Sequence, residues 1–268
     1  MRDKVVVITG GSSGIGEALA YKYASEGSKV VIGARNVKAL ETVANKINSA
    51  GGSVVWLQTD VSNEVDCKNL ILKAVGTYGK IDVLINNAGV SMRALFNDLD
   101  LKVIKYLMDI NFWGTVYCTK YALPYILNQN GSIVGVASAG GIKGLPARTG
   151  YSASKFAMNG FMQSLRTENL KNGLHVLMAF PGFTASNIRN TALGADGNQQ
   201  GESPRNENKM MTAEKVAEHI YIAVKKKKSK IILTFESKTI NFLNKFCSAS
   251  LDKLIYKIMA KEPDSPFK

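Results

Sequence analysis

Short apolar, β-branched runs alternate along this chain with longer amphipathic stretches. The runs predict strands over 5–9, 29–34, 53–58, 82–86, 132–137, 175–179 and 230–234. Several are apolar throughout, as in Val5-Val6-Val7-Ile8. Strands covered on both faces read that way, and that condition belongs to parallel sheets. Amphipathic patterning predicts helices near 15–26, 37–49, 64–78, 99–128, 150–171 and 213–226. Strand–helix alternation sustained over six units predicts an α/β fold with a doubly wound parallel sheet.

Two regions break the rhythm. Residues 187–209 are polar, rich in Gly and Asn, and contain Pro204. With no hydrophobic period, this stretch reads either as a mobile substrate lid, near 187–211, or as disorder. Residues 237–261 are amphipathic: Ile240, Leu243, Cys247, Leu251, Leu254 and Ile258 recur at spacings of three and four, among lysines at 245, 253, 257 and 261. No short repeat and no Pro/Ser linker appears. The expectation is one domain over 1–236, lid included, with a basic amphipathic extension over 237–268.

Composition narrows the class. Of 268 residues, 46% are hydrophobic and 21% charged, a globular balance that excludes collagen, coiled coil or disorder for the bulk. The net charge of +13 admits a polyanion, an anionic membrane surface or a phosphate-bearing ligand. Three scattered cysteines argue against a disulfide framework and for a reducing compartment. With no signal-type h-region at the N-terminus and no run of about 18 apolar residues, the expected location is cytoplasmic. Two histidines leave almost no material for a zinc site or a His-based triad, so no metal is expected.

Candidate chemistry begins where the first predicted strand ends, in Thr9-Gly10-Gly11-Ser12-Ser13-Gly14-Ile15-Gly16. Gly10 permits the tight turn, Gly14 lets the backbone approach a pyrophosphate, and Gly16 lets the following helix lie close on the sheet. Bare N–H groups and the helix dipole then face the phosphates. The competing reading is a structural turn without ligand. The second predicted strand ends Gly33-Ala34-Arg35-Asn36, without the acid that usually holds the ribose of NAD. Arg35 offers a planar fork for a 2′-phosphate, which favours NADP(H) over NAD(H). The bland alternative is a solvated arginine.

A second constellation is Tyr151-Ser152-Ala153-Ser154-Lys155, a phenol and an ammonium at i and i+4 on one helix face, downstream of Ser138. A phenol titrates near 10. Bringing it to about 7 takes roughly 4 kcal/mol of differential stabilisation, within reach of a nearby ammonium and an oxidised nicotinamide.

These motifs, with Asp60-Val61, Asn86-Asn87-Ala88-Gly89, Asn111 and Pro181-Gly182, make the sequence resemble the short-chain dehydrogenases/reductases over about 4–234. The resemblance implies a Rossmann-type, doubly wound seven-stranded parallel sheet with helices on both faces. It implies that Tyr151 exchanges a proton with the carbonyl or alcohol oxygen and that Ser138 orients that oxygen. Lys155 would hold the ribose hydroxyls and depress the phenol. Asn111 would bend its helix and position a water linked to Lys155. Gly10, Ser12, Ser13, Gly14, Ile15 and Gly16 would cradle the phosphates, and Asp60 and Val61 would flank the adenine. Asn87, Ala88 and Gly89 would line the groove. Pro181, Gly182 and the segment after them, with Thr184 and Ser186, would hold the nicotinamide amide.

The expected function is therefore NADP(H)-dependent interconversion of a carbonyl and a secondary alcohol. Gly141, Ile142, Gly144, Leu145 and Phe183 carry no charge, so a small apolar ketone or aldehyde is the expected substrate. An NAD-dependent alcohol or hydroxysteroid dehydrogenase is the enzymatic alternative. A nucleotide sensor or membrane-surface binding protein is the non-catalytic one, and the intact Asn111, Ser138, Tyr151 and Lys155 set argues against it. The lysine run at 225–228 reads as a solvated helix end and not as a nucleic-acid site. The tail reads as packing on its own chain or on a second subunit, with peripheral membrane contact as the rival. A homo-oligomer is the expected assembly.

Overall fold

A computed structural model describes residues 1–185, 188–201, 210–261, 265 and 267. Its main sheet is built from β1 (Val5–Thr9), β2 (Lys29–Ala34), β3 (Ser53–Gln58), β4 (Val83–Asn86), β5 (Ser132–Val136), β6 (His175–Phe180) and β9 (Lys230–Ile232). Seven strands lie in the order β3-β2-β1-β4-β5-β6-β9, every pair parallel. The expected doubly wound sheet is what forms. A two-stranded pair, β7 (Thr184–Ala185) with β8 (Met211–Thr212), lies outside it.

Alternation along each strand divides the core into two layers. Register aligns Val55, Val31, Val7, Leu84, Ile133 and Val176 in one row across the sheet. That face packs on α3 (Glu64–Tyr78), α5 (Gly114–Leu127) and α6 (Thr149–Glu168). Val6, Ile8, Val30, Ile32 and Ile85 point the other way, under α1 (Gly14–Ser25), α2 (Val37–Ser49) and α7 (Ala213–Lys225). Both faces are therefore covered, which explains the unbroken apolar runs.

The structure departs from the pattern in three places. The apolar periodicity predicts one helix over 99–128, but α4 (Leu101–Met108) and α5 are joined by a wider π turn, Asp109–Trp113. The amphipathic tail is two helices, α8 (Phe235–Phe246) and α9 (Ser248–Ala260), broken at Cys247. The last strand stops at Ile232, because Thr234 turns to cap α8, its Oγ1 accepting from Ser237 N–H at 3.2 Å. The boundary expected at 236/237 thus falls inside α8. Of the expected lid, the described residues 188–201 form turns bridged to the body through Met92 and Leu193. Residues 187 and 202–209 lie outside the described residues.

The tail packs on its own chain. Leu251, Ile255 and Met259 are buried with Leu145, and Lys143 reaches Ser248 Oγ at 2.9 Å and Asp252 at 2.7 Å. An apolar fringe of Phe235, Phe242 and Phe246 stays exposed. Among the described residues no helix is long and apolar enough to cross a membrane. The lysine run closes α7, with Lys226 as its C-cap and Lys227 Nζ donating to Asn130 O at 3.2 Å.

His175, at the start of β6, ties β5 to that same turn. Its Nδ1 lies 3.0 Å from Ser132 Oγ and its Nε2 lies 2.8 Å from the carbonyl of Lys228. Burial, with the nearby Lys227 charge, holds its pKa below the ordinary 6.5, although the Lys228 carbonyl works in the opposite sense. The unfolded chain then takes up a proton that the folded chain resists. Stability is complete above about pH 6.5 and falls as pH drops from there toward the folded pKa. Urea midpoints measured across that window are expected to decline in the wild type, with a shallower decline in His175→Gln.

Candidate active site

Strand order reverses between β1 and β4, so the loops leaving these neighbours diverge to opposite faces and open a crevice at their C-terminal ends. Thr9 and Asn87 hold its floor. Thr9 Oγ1 accepts from the N–H groups of Asn87 and Ala88, both at 3.0 Å. Asn87 Nδ2 donates back to Thr9 O at 3.0 Å and Gly10 O at 3.3 Å. Gly10 adopts φ +67° and Gly14 φ +54°, the left-handed region that favours glycine. A Cβ on Gly16 would lie 2.0 Å from Gly10 O, so only glycine lets α1 approach the turn.

A groove of about 560 Å³ runs along this crevice. Gly10, Ser12, Ser13, Gly14, Ile15, Arg35, Asp60 and Val61 line one part, and Asn87, Ala88 and Gly89 its floor. Ser138, Tyr151, Lys155, Pro181, Gly182 and Thr184 line it as well. Gly16 and Asn111 are not in the lining; they stand behind the wall. Ser186 lies outside the described residues.

Asn111 is fully buried in the π turn. Its Nδ2 donates to Val90 O and to Ser154 Oγ, both at 2.9 Å, and its Oδ1 accepts from Val90 N–H at 2.8 Å. The local bend implied by the resemblance is present. Its side chain clamps the loop after β4.

Ser138, Tyr151 and Lys155 converge. Ser138 leaves the end of β5, and its hydroxyl hydrogen-bonds the Tyr151 phenol. A Cβ on Gly140 would touch the Tyr151 ring at 3.2 Å, so the loop after Ser138 lies flat against that ring. Lys155 Nζ sits 6.0 Å from the ring centroid and donates to Val136 O at 3.1 Å. A Cβ on Gly89 would lie 3.0 Å from Asn111 Oδ1 and 3.2 Å from Lys155 Nζ, so both side chains stand directly against the Gly89 backbone.

Burial dominates the electrostatics of both titratable groups. Burial holds the Tyr151 phenol above its ordinary value of 10, outweighing the Ser138 hydrogen bond and the Arg148 charge that favour phenolate. Burial likewise pulls Lys155 down to about 8. The cation that bears on the phenol is Arg148.

The sequence reading missed Thr9, Arg93, Arg148 and Arg189, the last three in the groove lining. Arg148 is the N-cap of α6, just before the helix that the sequence places at 150–171. Arg93 and Arg189 lie in irregular segments where no periodicity places a side chain. Arg35 lines the groove, but its Nη1 donates to Tyr106 Oη at 2.7 Å.

The residues fit a nicotinamide dinucleotide. Ser13, the N-cap of α1, makes no side-chain cap bond, whereas Asn36, Asn63, Asp100, Thr212 and Thr234 cap their helices. The first-turn amides of α1 thus stand over a groove long enough to carry a dinucleotide toward Tyr151.

A Rossmann sheet with a Ser-Tyr-Lys cluster beyond its glycine turn defines a class of nicotinamide-dependent oxidoreductase folds. A family model described as short chain dehydrogenase matches residues 4–195, and the chain belongs to that family. The 11-beta-hydroxysteroid dehydrogenase-like 2 protein of Arabidopsis thaliana is 43% identical over 187 residues, 69% of this chain and 60% of that protein. The 11-beta-hydroxysteroid dehydrogenase A of Sesamum indicum is 39% identical over 187 residues, 69% and 53% of the two chains. The match therefore spans less than two thirds of those relatives' length. An alcohol dehydrogenase of Thermococcus sibiricus, solved with 5-hydroxy-NADP, superposes with a TM-score of 0.75 at 23% identity, covering 87% of this chain and 96% of that one. A short chain dehydrogenase/reductase of Burkholderia phymatum, solved with NAD, gives 0.79 at 24% identity, covering 98% and 97%. At these identities the likeness is one of fold.

Thr9→Val leaves two amides without their acceptor. It is expected to lower stability by about 2 kcal/mol and to weaken nicotinamide-nucleotide binding, measured by urea denaturation and fluorescence titration.

Proposed function

We propose that the chain is an NADP(H)-dependent oxidoreductase that interconverts a carbonyl and a secondary alcohol. The observation that carries this reading is the convergence of Ser138, Tyr151 and Lys155 in one groove with an uncapped glycine-turn helix. The bound nicotinamide supplies or accepts the hydride. The side chains supply the rest. Ser138 donates to the substrate oxygen and fixes its direction. Tyr151 Oη gives its proton to that oxygen in reduction and takes it back in oxidation. Lys155 is placed to hold ribose hydroxyls, and Asn111 keeps the Val90 loop closed behind it. Arg35 is placed for a 2′-phosphate.

A phenol held above 10 by burial stays protonated at neutral pH. The protonated phenol is the form that donates in reduction. Oxidation needs the phenolate and gains as pH rises. The relatives' names bring hydroxysteroid-type alcohols into the range of substrates to test. The NAD-dependent alternative draws on the bond from Arg35 to Tyr106, which occupies part of the guanidinium fork.

Tyr151→Phe is expected to lower kcat by about 10²–10⁴-fold on a panel of ketones, while the nucleotide still binds. Turnover equal to wild type removes the assigned acid. With Lys155 titrating near 8, wild-type reduction should hold steady below that pH and decline above it, as the ammonium that holds the ribose hydroxyls loses its charge. For the cofactor, kcat/KM should favour NADPH over NADH, and Arg35→Ala should cut that ratio by about tenfold or more. A wild-type preference for NADH overturns the assignment of Arg35.

A further inference from the structure

We propose that Tyr106 is a positioning residue for cofactor choice: its phenol holds the Arg35 guanidinium over the groove with one edge free for a 2′-phosphate. This rests on the NADP(H) reading above and names the side chain that sharpens that preference.

Arg35 leaves the end of β2, and Tyr106 stands on α4, which follows β4. In the sheet β1 lies between β2 and β4, so the 2.7 Å bond from Arg35 Nη1 to Tyr106 Oη crosses the groove at its glycine-turn end. Both residues line that groove, together with Gly10, Ser12 and Asp60. The two ends of the bond differ in firmness. Tyr106 is half-buried, its ring packed against the cluster that holds Ile110 and Met158 and against the one that holds Met92 and Leu107. Its hydroxyl is therefore a fixed post. Arg35 is exposed and its side chain is long; only its backbone is tied at the strand end, the carbonyl accepting from Gln58 Nε2 at 3.3 Å.

An untethered arginine samples many rotamers and loses that freedom when an anion arrives. The bond to Tyr106 removes part of that loss beforehand. Among the described residues Nη1 is the one guanidinium nitrogen with a partner. Nε and Nη2, the side-on edge, remain for two parallel bonds to an oxyanion. The partner is a neutral phenol, which fixes the guanidinium without cancelling its charge, whereas a carboxylate there would do both. A bond that served to withhold Arg35 from ligands would take the side-on edge or bring an acid, and this one does neither. Asn36, the next residue, spends its side-chain oxygen on Ala39 N–H at 3.1 Å as the N-cap of α2, so the recognition of an anion at this strand end falls to Arg35.

The test compares the full chain as wild type, Tyr106→Phe, Arg35→Ala and the double variant. Tyr106→Phe keeps the packed ring and removes the hydroxyl alone. With a ketone that the wild type reduces held at saturation, Tyr106→Phe should raise the KM for NADPH about fivefold more than the KM for NADH. The NADPH-to-NADH ratio of kcat/KM falls by the same factor. In the Arg35→Ala background the same substitution should leave the ratio where Arg35→Ala put it, because the phenol acts through the guanidinium. Binding is read separately by calorimetry with adenosine 2′,5′-bisphosphate and adenosine 5′-monophosphate, which differ by the 2′-phosphate. Tyr106→Phe should weaken the bisphosphate about fivefold relative to the monophosphate.

Equal losses with both nucleotides assign Tyr106 to packing, and the proposal fails while the oxidoreductase reading stands. A ratio that rises in Tyr106→Phe shows a phenol that withholds Arg35, and it overturns the proposal as well. A further fall in the ratio when Tyr106→Phe is added to Arg35→Ala means that the phenol acts without the guanidinium, and the positioning role is lost. Wild-type protein that binds the two adenosine phosphates equally overturns the proposal together with the assignment of Arg35. Tyr106-dependent preference for the bisphosphate without reduction of any ketone supports the proposal and overturns the oxidoreductase reading.

Discussion

Everything in this cleft depends on how two neighbouring strands end. β1 and β4 leave the sheet side by side, and the Thr9 hydroxyl takes both amides that would otherwise be stranded at the top of β4. Asn87 answers by bonding the last carbonyl of β1 and the Gly10 carbonyl beyond it. This reciprocal clamp holds the Gly10 turn against the Asn87-Ala88 backbone more closely than a side chain at Gly10 would permit. The groove is what remains above it. Its depth is set by backbone geometry in the sheet, and its chemistry is hung on that frame from β5 and α6.

The frame was largely legible in the sequence. Fully apolar strands, glycines at the first turn and amphipathic helices all reported the same architecture, because burial on both faces leaves no other pattern. The Tyr151 and Lys155 pair was legible too, since helix periodicity puts i and i+4 on one face. What periodicity could not deliver is the environment of each group. Burial around Tyr151 is the sum of residues from the loop after β4, from α4 and from the 188–201 turns, which are far apart in sequence. That sum pushes its pKa upward.

Breaks in regular structure were the other blind spot. The segment after Leu101 keeps its apolar period straight through the π turn, so nothing in the pattern announces the extra residue. Yet that turn is what buries Asn111 and aims its amide at Val90. The break at Cys247 was hidden in the same way, because apolar spacings of three and four continue across it. Arg93 and Arg189 sit where chain geometry is set by single hydrogen bonds such as Arg189 Nη2 to Thr184 O at 2.8 Å. Composition near them gave no hint that they would join Arg35 and Arg148 in lining one cavity.

The seat of the last two helices has a consequence for motion. Lys143 fastens α9, Asn244 of α8 reaches Ile142 O at 3.3 Å, and Leu145 packs beneath both. The segment between Ser138 and Tyr151 is thereby splinted from outside by the far end of the chain. Swinging that wall outward to admit or discharge a bulky molecule means shedding an ion pair and part of a small apolar cluster, while the sheet feels nothing. Breathing of the entrance and docking of the terminal helices are thus one equilibrium, and whatever grips those helices from without also sets how often the door stands ajar.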